Sequence, residues 1–321
     1  MAKPAVREER EGVPLTSLDD ALFDGAGATK RDLVDYLDAV ANRILPVLRD
    51  RALSVIRARP GQAPFMQKNL PKSTPPWVRR TTTWADSSRR EVTYALCDDR
   101  RTLLWFANQR AVEYHPALIR AGSSDATQLV IDLDPPEGGP FADVVHAAQL
   151  VRQVLHDLGL DGALKTSGSK GLHVFVPLVA GTSVEAAAAA TRAIVARAER
   201  LDPARTTTTF VKADRGGKVF LDSTRSGNGT VIAAYSPRIR PGTPVSFPVA
   251  WDEVQDVSPG DCTILTALER LSDADPWRDA MPVPVDLPGD LVGEGAGIPL
   301  GRVEAMHEGK RRKARGAGDG S

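Results

Sequence analysis

One stretch limits what this chain can fold into: residues 129–136, Leu-Val-Ile-Asp-Leu-Asp-Pro-Pro. Apolar residues alternate with two carboxylates, and two prolines stop the run. Period two is the pattern of a half-buried strand, so Asp132 and Asp134 share one face while Ile131 and Leu133 share the other. Residues two apart on a strand lie roughly 6–7 Å apart at Cα. Carboxylates that close repel each other, and a divalent cation between them removes that cost. Two metals about 3.5–4 Å apart are the usual arrangement for in-line phosphoryl and nucleotidyl transfer. The rest of the chain decides between this and a solvated strand end.

The chain has 321 residues, 42% of them hydrophobic, enough for one large domain or two small ones. Lys plus Arg and Asp plus Glu both number 41, so the net charge is zero. A polyanion binder with that balance must gather its basic residues in a cleft. The two cysteines, Cys97 and Cys262, form no C-x-x-C pair. That argues for a reducing compartment and against a zinc site. Residues 1–12 are highly charged and lack the apolar core of a signal peptide, and no apolar run is long enough to span a bilayer. The expectation is a soluble cytoplasmic protein with no membrane partner.

Along the chain, residues 1–13 read as a solvated tail. Thr29 suits an N-cap, and Leu33, Tyr36, Leu37, Val40, Ile44, Leu45 and Leu48 recur at helical spacing. Residues 51–59 read as a strand with arginines, Arg57 among them, on one side. Residues 65–69, with Phe65 beside Lys68, read as a loop. Residues 91–96 and 102–106 look like strands, and 113–116 like the end of a short helix. After the D-x-D strand a helical stripe runs from Phe141 to Leu158, and Gly159 suits a helix stop. Strands follow at 163–166, 172–176 and 218–222, with an alanine-rich helix at 184–198. Residues 230–234 look strand-like, and a helical hairpin is expected near 263–271. The last twenty residues, with Lys310, Arg311, Arg312 and Lys313, read as a disordered basic tail.

Three constellations could carry chemistry. Residues 167–171, Ser-Gly-Ser-Lys-Gly, offer hydroxyls from Ser167 and Ser169, a cation from Lys170 and backbone N–H groups able to nest an anion. Alone, such a loop is more often a hairpin turn, and it is not a Walker A loop. His173 shares a strand face with Phe175, where a histidine is usually core, but it directly follows this loop. Asp222 ends an apolar strand, as Asp132 and Asp134 do. Arg225, Arg238 and Arg240 follow it, and the guanidinium fork suits phosphate, although surface ion pairs account for any one of them. Haloacid-dehalogenase-type phosphatases and many glycosyltransferases also carry a D-x-D. A phosphatase with Asp132 as nucleophile needs a later Lys and an acidic pair that the sequence does not convincingly supply.

The order of these pieces resembles a known family. D-L-D-P, then K-T-S-G-S-K-G-L-H-V-F-V-P, V-F-L-D, A-Y-S-P-R-I-R-P-G and W-D-E follow one another. Upstream are A-T-K-R-D-L, F-M-Q-K-N, L-L-W-F-A-N and E-Y-H-P. Together they resemble the bacterial primase-polymerases of the archaeo-eukaryotic primase superfamily, and within them the polymerase domain of ligase D. The resemblance runs from about residue 15 to about residue 254. It implies an α/β fold whose catalytic core is an RNA-recognition-like sheet with an N-terminal α/β module packed on it. The expected division is a tail (1–13), an N-terminal module with template-contacting segments (14–125), the catalytic core (126–255), a C-terminal extension (256–301) and a basic tail (302–321).

Carried across by residue, the resemblance implies that Asp132, Asp134 and Asp222 hold two Mn²⁺ or Mg²⁺ ions. Ser167, Lys170 and His173 would hold the triphosphate, Arg238 and Arg240 further phosphates, and His115 the sugar of the incoming nucleotide. Phe65 would stack on the template, with Lys68, Lys30 and Arg57 as further DNA contacts. The implied activity is template-directed addition of nucleotides, preferably ribonucleotides, to a primer 3′-hydroxyl at short gaps or broken ends. The implied partners are gapped or broken DNA, nucleoside triphosphates, an ATP-dependent ligase of the ligase C or ligase D type, and Ku. Nothing here resembles a ligase or nuclease domain, as in a stand-alone form.

Three positions depart from the family pattern. Ser226 stands where the family has an Asn, Met66 replaces the second aromatic of a stacking pair, and Asp20 aligns with a lysine that helps bind a 5′-phosphate. An acidic residue weakens phosphate binding. That favours gap filling, as in the form associated with ligase C, over end joining with Ku and ligase D. The alternative of another class is a catalytically silent module that binds DNA ends. It would lack a carboxylate, whereas all three are present.

Overall fold

The computed structural model describes residues 8–85, 89–226, 229–271 and 273–299. The chain forms two compact units. The first comprises residues 1–124, 165–170 and 230–280, and the second residues 125–164, 171–229 and 281–321.

The first unit opens with a hairpin of β1 (Glu9–Arg10) and β2 (Val13–Pro14), where a solvated tail was expected. Charge explains its order: Arg10 pairs with Asp35 at 2.6 Å, and Glu8 with Arg31 at 2.7 Å. Helix α1 (Lys30–Ala39) starts at Thr29 as anticipated. The Thr29 hydroxyl accepts from the Asp32 N–H, and the Asp32 carboxylate accepts from the Thr29 N–H, which is a capping box. The helical stripe is broken at Val40, and α2 (Ala41–Leu48) follows.

Strand β3 (Leu53–Arg59) is central to an antiparallel sheet. One edge carries β7 (Ala111–Pro116), paired from Leu53↔Pro116 to Ile56↔Glu113 and then, after a one-residue register shift, Arg57↔Ala111. The other edge carries β4 (Gln62–Gln67) and, at Leu53, β6 (Arg90–Ala95), to which β5 (Arg80–Ala85) pairs. Three expectations change here. Residues 65–67 belong to β4, not to a loop. Residues 102–106 lie in α3 (Arg100–Asn108), because the Asp99 side chain caps the Thr102 N–H at 2.8 Å and starts a helix. Residues 113–116 form β7, not a helix end. Residues 230–280 complete the unit with little regular structure. Residues 230–234 make only a bridge, Ala117↔Thr230, and 263–271 hold a single 3-10 turn at Ala267–Arg270 in place of a hairpin.

In the second unit β8 (Gln128–Asp134) is central. The chain leaves this unit in the middle of β9 (Ala163–Thr166) and returns to form β10 (Leu172–Pro177), antiparallel to β8, with His173 opposite Asp132. Strand β12 (Val219–Asp222) pairs antiparallel with the other edge of β8, placing Asp222 opposite Asp132, and β11 (Thr206–Thr207) runs parallel to β12. Helices α4 (Phe141–Asp157) and α5 (Val184–Leu201) pack on each other and on the sheet. Leu155 of α4 and Val174 of β10 meet at Gly162. Ile131 lies opposite Val174, so that face is under the helices and the Asp132, His173 and Asp222 face is turned away. The helix Gly289–Ala296 packs on α5, where a Cβ on Gly295 would stand 1.8 Å from the Ala189 carbonyl.

No helix among the described residues is long and apolar enough to cross a membrane. The basic segment 310–313 lies outside the described residues.

Candidate active site

The second unit gathers the three aspartates on adjacent strands. Asp132 and Asp222 are directly opposite in the ladder, and Asp134 lies two residues further along β8, opposite Phe220. Asp132 and Asp222 are only 7% and 5% exposed, so their charges need partners. His173 Nε2 is 3.1 Å from Asp132 Oδ1. The Thr224 N–H donates to Asp222 Oδ1 at 2.7 Å. Arg225 Nε lies 3.4 Å from Asp132 Oδ2 and 3.5 Å from Asp222 Oδ2. Burial pushes the Asp222 carboxyl above its usual range, the Asp132 charge adds to this, and Thr224 and Arg225 oppose it. Arg215 stacks on the Phe220 ring at 3.6 Å; burial lowers its pKa, and Asp134 and Asp222 counter the shift. Gly171 is required at the start of β10, because a Cβ there would fall 2.2 Å from the Leu133 carbonyl and 3.6 Å from Asp134.

The donor set bears on what this face can hold. Three carboxylates with no thiolate suit hard cations such as Mg²⁺ or Mn²⁺. No three His, Cys, Asp or Glu side chains form a ready cage among the described residues. That is compatible with a site where one or two carboxylates share the ion with water and substrate phosphates, the usual pattern for Mg²⁺.

Ser226, where the family pattern has Asn, is structural. Its hydroxyl accepts from the Val130 N–H at 2.8 Å and donates to the Val130 carbonyl at 3.1 Å, and Thr191 of α5 donates to it at 2.8 Å. Strand β12 ends at Asp222, and this side chain takes over its pairing with β8.

The first unit assembles a second cluster. Glu113 is 3% exposed on β7. Its carboxylate meets His115 Nε2 at 2.9 Å and Arg238 Nε at 3.3 Å, and accepts from the Ile239 N–H at 2.9 Å. Burial acts to raise its pKa, but His115, Arg238 and the Ile239 N–H outweigh it and hold the carboxyl below its usual range. Arg238 also donates to the Ser167 carbonyl at 3.1 Å, and Arg240 to the Ser169 hydroxyl at 3.2 Å. Gly168, at φ +65°, sits so close that a Cβ would come 2.7 Å from both Arg238 Cγ and the Ser246 nitrogen. Lys170 is exposed at the end of this loop. Ser167, His115, Arg238 and Arg240 therefore form one connected group. Glu113, which ties it together, was not singled out from sequence. Read as a helix end, E-Y-H-P hides the pairing; read as a strand, it puts Glu113 and His115 on one face.

The four expected DNA contacts divide. Phe65, 61% exposed, and Lys68 face outward. Arg57 donates to the Gln109 carbonyl at 2.6 Å and to Gln67 at 3.2 Å. Lys30 is buried, donates to Asn108 Oδ1 at 2.7 Å and also bonds the Thr16 carbonyl. Burial, aided by Arg110, lowers its pKa to about 8. Asp20 pairs with Arg110 at 3.0 Å.

Comparison with known proteins identifies the family. The family described as "LigD, primase-polymerase domain" matches residues 29–277. The multifunctional non-homologous end joining DNA repair protein LigD of Mycobacterium tuberculosis is 38% identical over 256 residues, 76% of this chain and 34% of that protein. The bifunctional non-homologous end joining protein LigD of Bacillus subtilis is 33% identical over 261 residues, 80% of this chain and 42% of that protein. This chain thus spans well under half the length of these relatives. The solved polymerase domain from Mycobacterium tuberculosis ligase D in complex with DNA superposes with a TM-score of 0.76 at 35% identity, covering 91% of this chain and 100% of that one. The α/β fold, the paired aspartates and a match over residues 29–277 establish that the chain belongs to the LigD primase-polymerase domain family.

Proposed function

We propose that this protein is a DNA-repair nucleotidyltransferase that adds nucleotides, preferentially ribonucleotides, to a primer 3′-hydroxyl opposite a template at short gaps or broken ends. The observation that carries this reading is the register of β8 and β12, which sets Asp222 opposite Asp132 and two residues from Asp134 along β8. Two Mn²⁺ or Mg²⁺ ions held by Asp132, Asp134 and Asp222 would supply activation of the 3′-hydroxyl and charge neutralisation at the leaving pyrophosphate. His173 orients Asp132. Glu113 fixes His115 for the sugar and Arg238 for phosphate, while Arg240, Ser167 and Lys170 add phosphate donors. Phe65 offers an exposed ring on which a splayed template base can stack, and Lys68 adds a cation beside it.

A second reading is an end-joining polymerase acting with Ku and a ligase, as the names of the relatives suggest. The observations favour gap filling. Asp20 neutralises Arg110, and Lys30 spends its ammonium on Asn108 and Thr16, so this basic corner is committed internally. The test is extension of a primer across a short gap in duplex DNA with Mn²⁺, comparing ribo- with deoxyribonucleotides and a 5′-phosphate with a 5′-hydroxyl beyond the gap. Faster ribonucleotide addition with little 5′-phosphate effect supports the proposal. A strong 5′-phosphate requirement favours the end-joining mode. No incorporation by folded protein leaves a DNA-end-binding module.

A further inference from the structure

Arg225 occupies an unusual place in the carboxylate face. It follows Asp222 by three residues, and its Nε stands almost equally far from Asp132 Oδ2 and Asp222 Oδ2, at 3.4 and 3.5 Å. His173 faces Asp132 Oδ1 and the Thr224 N–H faces Asp222 Oδ1, so Arg225 meets the other oxygen of each carboxylate. Asp132 and Asp222 are two of the three carboxylates that would hold the metal. Two nearly buried carboxylates directly opposite each other on neighbouring strands repel, and one positive charge between them relieves that. The contacts are long for hydrogen bonds, and the Arg225 side chain is 44% exposed. Its hold is therefore loose, and its route to solvent is open.

The geometry points to Arg225 as a resident counter-cation, holding Asp132 and Asp222 together in the metal-free protein and withdrawing when a divalent ion takes its place. This rests on the metal reading of the three aspartates given above. A guanidinium and a divalent cation drawn to the same two carboxylates repel each other, so the arginine competes with the ion. Removing its charge frees the carboxylates for metal and strengthens their mutual repulsion in the absence of metal. A lysine, a compact charge on a flexible stem, competes less well than the planar fork.

The test is Mn²⁺ binding to the full chain without nucleotide or DNA, read from the electron paramagnetic resonance signal of free Mn²⁺. Wild type is compared with Arg225→Gln, Arg225→Lys and Asp222→Asn, and thermal unfolding of each is followed in EDTA and in Mn²⁺. The proposal expects Arg225→Gln to bind Mn²⁺ about fivefold more tightly than wild type, the scale of one partly exposed ion pair. Arg225→Lys falls between them, and Arg225→Gln gains more in melting temperature from Mn²⁺ than wild type does. If Arg225→Gln binds no more tightly while Asp222→Asn loses binding, Arg225 is no competitor and the inference fails with the metal site intact. If Asp222→Asn binds like wild type, the metal reading fails and takes the inference with it.

Discussion

At the scale of single residues, burial sets what each charged group can do. Glu113 is ionised in a nearly closed site because His115, Arg238 and the Ile239 N–H compensate it. Its depressed pKa contributes stability that is present above the unfolded value near 4.5 and is lost as pH falls through the folded one. Glu113→Gln should therefore destabilise the protein by about 2 kcal/mol at pH 7. The gap to wild type should close in acid, as followed by urea unfolding across pH, and the KM for nucleotide should rise more than kcat falls. Lys30 has the opposite sign. With its folded pKa lowered to about 8 against 10.5 unfolded, the buried ammonium is a liability that deprotonation relieves, so its contribution to stability rises between those values. The stability of wild type relative to Lys30→Met should climb over that window in thermal melts. A flat difference would mean that Lys30 is solvated and available to DNA.

At the scale of elements, Ser226 shows how a short strand is extended by a side chain. Ser226→Ala leaves the Val130 N–H and carbonyl without their partner and should cost about 1–3 kcal/mol in chemical denaturation. Ser226→Asn, although it restores the family residue, should destabilise too, because the position is 5% exposed and already packed against α5. The carboxylate strand could be read from the sequence because alternation is a local signal: Asp132, Asp134 and Asp222 each end an apolar run, and their strands pair with Asp222 opposite Asp132. The helix start at Thr29 was legible for the same reason. What was hidden depended on context. Residues 102–106 are apolar enough for a strand, and only the Asp99 cap makes them a helix. The sequence pattern reads residues 113–116 as a helix end because Pro116 stops helices as readily as it ends strands. That misreading concealed Glu113. The pairing of Arg225 with Asp132 joins residues 93 positions apart, which no local pattern encodes.

At the scale of the whole molecule, each unit carries a self-consistent set of groups: carboxylates with His173 and Arg225 in the second, and the Glu113–His115–Arg238 network with the 167–170 loop and the Phe65 strand in the first. With a neutral net charge, the proposed DNA contact would depend on where the basic residues are left unspent, and Asp20 and Asn108 engage two of them. Asp20→Lys should release Arg110, add a cation, and raise the preference for a 5′-phosphorylated gap several-fold, read as the ratio of extension rates on the two substrates. An unchanged ratio would place the 5′-phosphate away from this corner. The central claim is that the aspartates of β8 and β12 perform nucleotidyl transfer. Its most direct measurement is single-turnover primer extension on gapped duplex DNA with Mn²⁺ and ribonucleotides, comparing wild type with Asp134→Ala and Asp222→Asn. The account predicts extension by wild type and a loss of at least about 10²-fold in each folded variant; extension that survives both substitutions would contradict it.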